Sequence, residues 1–114
     1  MTYRPTLQHR MRLGDRAPAV RLQVRERGLH ARMDWTGARV AFVVVRPNGE
    51  VVGLGGAAVV EQPYAELTVR YDWGEGDTAV LGAGWFRAEF RVTDAAGVVR
   101  VYPGNGWWID LVVE

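Results

Sequence analysis

Few side chains in this sequence suit covalent or metal chemistry, and those present are scattered. No cysteine occurs in 114 residues, which excludes thiol nucleophiles, zinc–thiolate centres and disulfides. No serine occurs either, so a Ser-His-Asp triad is excluded. His9 shares one side of an alternating run with Leu7 and Met11, and is expected to be a partly buried structural group. His30 falls in a loop and is expected in solvent. Asp72, Glu75 and Asp77 lie together in Asp72-Trp73-Gly74-Glu75-Gly76-Asp77. Oxygen ligands of this type suit Ca²⁺, but their spacing is not that of an EF-hand loop. Asp77-Thr78 is instead expected to cap a tight turn or one helical turn. Gly53-Leu54-Gly55-Gly56-Ala57-Ala58 has the letters of a dinucleotide loop, G-x-G-x-x-G/A. That site needs a helix after its glycines to receive pyrophosphate. Val59-Val60 and Pro63 follow too soon, so these glycines are expected to serve a loop. Nothing singles out a hydrolytic pair among 13 acidic residues. No catalytic, cofactor-binding or metal-ligating residue is expected.

The arginines and tryptophans carry a different chemistry. All 14 basic residues are arginine. Arg21, Arg25, Arg70, Arg87, Arg91 and Arg100 fall on polar strand faces, interspersed with Glu66 and Glu89. Such a face can be a solvated one laced with cross-strand ion pairs, each contributing roughly 0.2–1 kcal/mol. It can also be a docking surface, because arginine and aromatic side chains are enriched at interfaces. Trp35, Trp73, Trp85, Trp107 and Trp108 are many indoles for so short a chain. Most are expected in the core. Trp107 and Trp108, if both lie in a strand, must point to opposite faces, leaving at least one for solvent or a partner. The candidate protein interface is Arg10, Arg12, Trp85, Arg87, Arg91, Trp107 and Trp108. Exposed indoles beside Asp and Asn side chains also suit the stacking of sugars.

The elements that position these groups read as strands. Period-2 alternation runs almost the whole length. Leu7–Leu13, Val20–Val24, Leu67–Tyr71 and Phe86–Val92 alternate apolar with polar residues. The dense run Arg39–Arg46 predicts a strand buried on both faces. Pro47-Asn48-Gly49 predicts a hairpin turn: proline presets the second turn position, and Asn-Gly supplies positive φ. Glu50–Val52 returns from it, and a short strand resumes at Ala57–Val60. Asp72 to Gly84 reads as a long glycine-rich loop. Val98–Tyr102 and the segment Trp107 to Val113 close the domain after turns at Ala95-Ala96-Gly97 and Pro103-Gly104-Asn105-Gly106. About eight short strands without intervening helices predict an all-β immunoglobulin-like sandwich of seven to eight antiparallel strands. Residues 1–13 are expected to form an arm or edge strand, and 14–114 a single sandwich domain.

Length and charge bound the function further. One domain fits 114 residues. A formal net charge of +1 gives no large counterion-release term, so neither nucleic acid nor an acidic membrane is expected as partner. No apolar run approaches the roughly 20 residues of a membrane span, and Met1–Arg12 lacks the apolar core of a signal peptide.

The order of the turn signals resembles a known group. Gly14-Asp15-Arg16-Ala17-Pro18 precedes an alternating strand, followed by Asp34-Trp35-Thr36-Gly37-Ala38, the strand Val40–Val45 and Pro47-Asn48-Gly49. Tyr71-Asp72-Trp73, Gly76-Asp77-Thr78-Ala79, Gly82 to Gly84, Phe86-Arg87-Ala88-Glu89-Phe90 and Val92-Thr93 come next. Gly97 and Pro103-Gly104-Asn105-Gly106 lead to the final strand. This pattern resembles the N-terminal domain of tailed-phage baseplate upper proteins and short phage proteins built from the same domain. The resemblance spans about Gly14 to the end. It implies a non-enzymatic sandwich that docks onto other virion structural proteins, in multiple copies within a symmetric assembly made in the host cytoplasm. The helical, receptor-organising parts of baseplate upper proteins have no counterpart here. A small accessory virion protein at the baseplate, tail, neck or capsid surface is therefore expected. A glycan-binding module for host-surface attachment is the alternative.

Overall fold

A computed structural model describes residues 7–24, 35–104 and 106–114. Nine strands form among them: β1 (Leu7–Met11), β2 (Val20–Gln23), β3 (Arg39–Val45), β4 (Val51–Val52), β5 (Ala57–Val60), β6 (Thr68–Asp72), β7 (Gly84–Thr93), β8 (Val99–Tyr102) and β9 (Ile109–Val113). They make two sheets. The larger runs β1-β9-β7-β3-β4, with β8 also paired to β7; the smaller runs β2-β6-β5. The protein is an immunoglobulin-like β-sandwich. One pairing departs from the antiparallel expectation: β1 lies parallel to β9, with Leu7 level with Ile109 and Met11 with Val113. The expected arm-or-edge segment thus contributes an edge strand at Leu7–Met11.

β7 organises the larger sheet. Its ten residues pair with β3 on one side and, on the other, with β9 over Gly84–Ala88 and then β8 over Phe90–Thr93. Strands β8 and β9 therefore lie end to end along one edge of β7. Pro103, Gly104 and Gly106 to Trp108 leave that line between them, at the level of Glu89. Alternation places Phe86, Ala88, Phe90 and Val92 on the inner face, all buried. Leu111, Val113, Val44, Val69 and Tyr71 meet them from neighbouring strands and the smaller sheet. The centre is aromatic. Phe42 stacks on Tyr71 at 4.4 Å and tilts against Phe90 at 4.9 Å, while Trp73 meets Tyr71 edge-on at 5.1 Å. Trp35 packs against Tyr102 at 5.5 Å.

The predicted hairpin turn forms as expected. Arg46 and Glu50 join across it, Gly49 takes φ +91°, and the Asn48 side chain accepts from the Glu50 N–H. Three expectations are corrected. β3 is not buried on both faces: Arg39 and Ala41 are exposed, because nothing among the described residues covers the outer side there. The Asp72–Gly84 segment is not all loop; Asp77–Leu81 forms one short helix, α1. The Arg46 guanidinium closes that helix by donating to the Val80 and Leu81 carbonyls at 3.1 Å each. Trp107 and Trp108 precede β9 instead of lying in it, and both are half-buried, so neither occupies the core.

Candidate docking surface

Strand register decides which side chains meet on the outer face of the larger sheet, since directly opposed residues point the same way. Arg10 opposes Val112, which opposes Trp85. Gln8 opposes Asp110, Asp110 opposes Arg87, and Arg87 opposes Val45 and, through it, Val51. Further along, Glu89 meets Val43, Arg91 lies between Val101 and Ala41, and Thr93 between Val99 and Arg39. The outer face is thus a band of arginines interrupted by apolar side chains. Trp85 is 57% exposed, Val51 62% and Val99 58%.

Trp85 and Trp108 line one depression with Arg87, Asp110, Val45, Arg46 and Pro47, about 660 Å³ in volume. The start of the β3–β4 hairpin walls one side. Arg87 and Asp110 form the row between the two indoles. The volume falls within the range of small-ligand sites, roughly 300–1,000 Å³. Glu89, on the same face, is 8% exposed, and its carboxylate accepts from Arg91 at 2.9 Å. Arg10 pairs with Glu114.

Of the predicted interface residues, the structure brings Arg10, Trp85, Arg87, Arg91 and Trp108 to this face. Arg12 is exposed just past the end of β1. Trp107 stands in the excursion between β8 and β9, where it bridges back to Gly104. Three valines were missed as surface elements: Val51, Val99 and Val101. Arg100 is corrected. It opposes Val92, on the inner side of the sheet, and its guanidinium reaches Asp94 at 3.0 Å. Val99 and Val101 therefore take the outward positions. A signal existed in Val-Val-Arg-Val, where apolar residues occupy both phases of the alternation.

The other polar groups are structural. Asp77 is 2% exposed and accepts from the Gly55 N–H at 2.7 Å, the Gly74 N–H at 2.8 Å and the Tyr71 hydroxyl. Burial pushes its carboxyl up, but these hydrogen bonds outweigh that and hold it below the usual range. Burial pushes the Tyr71 phenol well up, and its bond to Asp77 adds to this. Tyr71 also accepts from the Gly56 N–H at 2.9 Å. Of the two roles expected at Asp77, the helix cap is corrected: the carboxylate caps no N–H of α1. It instead holds the tight turn Gly74–Asp77 through the Gly74 N–H and ties the β4–β5 loop to the end of β6. Asp72 pairs with Arg70 at 2.8 Å, away from Asp77's bonds, and Glu75 is exposed. Glu61 accepts from Arg21 at 2.7 Å and from Arg70 at 3.0 Å, so the outer face of the smaller sheet is laced with ion pairs. The Arg21 bond chiefly holds Glu61 below its ordinary range.

His9 is half-buried against Trp73, with ring centroids 6.4 Å apart. Its Nε2 lies 3.0 Å from the Pro18 carbonyl, which can only accept, so Nε2 carries the proton. Trp73 Nε1–H donates to the same carbonyl at 3.1 Å. Burial lowers the imidazole below its ordinary value near 6.5, partly offset by the Pro18 bond. His30 and Arg25 lie outside the described residues. No group of three or more His, Cys, Asp or Glu among the described residues is placed to hold a metal ion.

No family model matches the chain, and no curated protein does. Among solved structures, the chain is similar to the crystal structure of CopC from Methylosinus trichosporium OB3b. The TM-score is 0.50 at 15% identity, over 96% of this chain and 86% of that one. At that identity the likeness speaks to the fold alone: both chains are immunoglobulin-like sandwiches over nearly their whole lengths.

Proposed function

We propose that the chain is a non-enzymatic docking domain that binds other proteins through the outer face of its larger sheet. We place it as a structural component of a tailed-phage particle, present in many copies. The observation that carries the docking role is the convergence of Arg10, Trp85, Arg87, Arg91 and Trp108 on one face, among exposed valines. Arginine and tryptophan are the side chains from which interfaces build their strongest contacts. The buried carboxylate of Asp77 is engaged in hydrogen bonds that tie separate segments together, and that of Glu89 is paired with Arg91 on the same strand. The order of turn signatures, similar to that of baseplate upper proteins, supports the virion assignment. Repetition around a symmetric particle turns weak contacts into firm attachment.

Mass spectrometry of purified particles encoding this chain tests the assignment. Its peptides are expected at many copies per particle, and their absence withdraws the virion role.

A second function is favoured by the depression itself, where Trp85 and Trp108 flank Arg87 and Asp110. Two indoles around a donor–acceptor pair suit a saccharide. Host-wall oligosaccharides would then shift tryptophan fluorescence, and a flat response across a sugar panel removes this function.

A further inference from the structure

We infer that the depression lined by Trp85 and Trp108 binds a phosphocholine group, with the quaternary ammonium at Asp110 and Trp108 and the phosphate at Arg87. The inference goes beyond both functions above and shares with the second only the depression itself.

Opposite charges stand side by side there without pairing. Arg87 on β7 and Asp110 on β9 are directly opposed, so both side chains leave the same face. Neither forms a hydrogen bond or ion pair with a described residue. Other charges of this face are joined: Arg91 to Glu89, and Arg10 to Glu114. Arg46, the other cation lining the depression, is occupied by the Val80 and Leu81 carbonyls. Arg87 and Asp110 are therefore the charges in the depression that a ligand can meet. Each has an indole beside it, because side chains two apart along a strand share a face. Trp85 stands two before Arg87 in β7, and Trp108 two before Asp110 at the entry to β9. All four line the depression. Asp110 and Trp108 are half-buried, while Arg87 and Trp85 are exposed.

This arrangement selects a ligand that carries both signs of charge. A lone anion at Arg87 would be repelled by Asp110, and a lone cation at Asp110 by Arg87. A neutral sugar would compensate neither. The carboxylate beside an indole suits a quaternary ammonium, which gains from the ring face as well as from the charge. A primary ammonium is more strongly hydrated and gains less. The guanidinium suits bidentate contact with phosphate. Opposed Cβ atoms lie about 4.5–5.5 Å apart, so the charges of the ligand must be joined by a short bridge, such as the ethylene bridge of phosphocholine. An exposed arginine–aspartate pair contributes little by itself, so a ligand that meets both groups loses little by keeping them apart. The depression, about 660 Å³, leaves room for the chain that carries the group. Pro47 and Gly49 wall one side of it. That recess fits a substituent on a soluble chain better than the flat surface of a bilayer.

The test titrates the whole protein with phosphocholine and follows tryptophan fluorescence and the heat of binding. A saturable change in both is expected. Choline and inorganic phosphate each meet half of the site and are expected to bind about tenfold or more weakly, as is phosphoethanolamine. Asp110→Asn and Arg87→Gln are each expected to weaken phosphocholine about tenfold, with the fold checked by the unfolding midpoint. No saturable binding overturns the inference. Equal binding of inorganic phosphate reduces the site to an arginine attracting anions and overturns it too. Unchanged affinity in both variants does the same. Binding to phosphatidylcholine vesicles without binding of free phosphocholine assigns the face to a bilayer, which also overturns it. A response to neutral oligosaccharides with none to phosphocholine leaves the saccharide function standing and removes this one. Particle incorporation is read separately, so docking stands or falls on its own.

Discussion

A carboxylate with 2% exposure survives burial only when its oxygens are bonded. Asp77 is held by two glycine N–H groups and a tyrosine hydroxyl. Replacing it with asparagine keeps the size but sets an NH₂ group against donors. Asp77→Asn is expected to cost roughly 2–4 kcal/mol, read as a lower urea midpoint. The pH dependence follows from the direction of the shift. The folded-state pKa lies below the unfolded one, so the stabilisation is complete above the unfolded value and is lost as pH falls through the folded value. The stability gap between wild type and Asp77→Asn should therefore close in strong acid. A gap unchanged between pH 7 and pH 2 would refute the role. His9 acts in a higher window. Its pKa is lowered on folding, so below about 6.5 the unfolded state takes up the proton first, and stability declines. The partial burial of His9 was legible from its alternation with Leu7 and Met11, but its partner Pro18 and the partners of Asp77 were not. Asp77's partner Gly55 is 22 residues away, and no short motif announces such a pairing.

The elements were largely visible, because alternation reports which side of a strand is buried. Val20–Gln23, Thr68–Asp72 and Gly84–Thr93 appear where their patterns place them. β8 misled because it is an edge strand. There Arg100 turns to the inner side, half-buried beside Asp94, and valines turn outward. The excursion between β8 and β9 depends on glycine at one position. Gly104 has φ +73°, and a Cβ there would lie 2.7 Å from the Val101 carbonyl oxygen. Gly106 has φ +77° with nothing within 4 Å. Gly106→Ala pays for backbone strain alone, about 1–2 kcal/mol. Gly104→Ala adds a steric clash of roughly 1–3 kcal/mol. Urea denaturation of the two variants should place Gly104→Ala clearly lower; equal midpoints would contradict the close approach.

The proposed docking belongs to the molecule as a whole, since the residues assigned to it come from β1, β7 and the segment before β9. Trp85 is 57% exposed and Arg87 is exposed, so neither supports the core. The double variant Trp85→Ala/Arg87→Glu should unfold within about 0.5 kcal/mol of wild type. It should nevertheless fail to join particles assembled in its presence. Wild-type attachment should also weaken with rising salt, as expected for exposed charges. Full incorporation of the double variant would remove the outer face from the interface.

Side-chain periodicity and turn chemistry, both local properties, were enough to establish the all-β sandwich and most strand positions. The same properties marked Arg10, Trp85, Arg87 and Arg91 as surface groups. They could not establish the parallel pairing of β1 with β9, the burial of Asp77, or the outward valines of β8. Those depend on which strands become neighbours and where one sheet stops covering the other. Contacts between residues far apart in sequence settle both, and no local pattern encodes them.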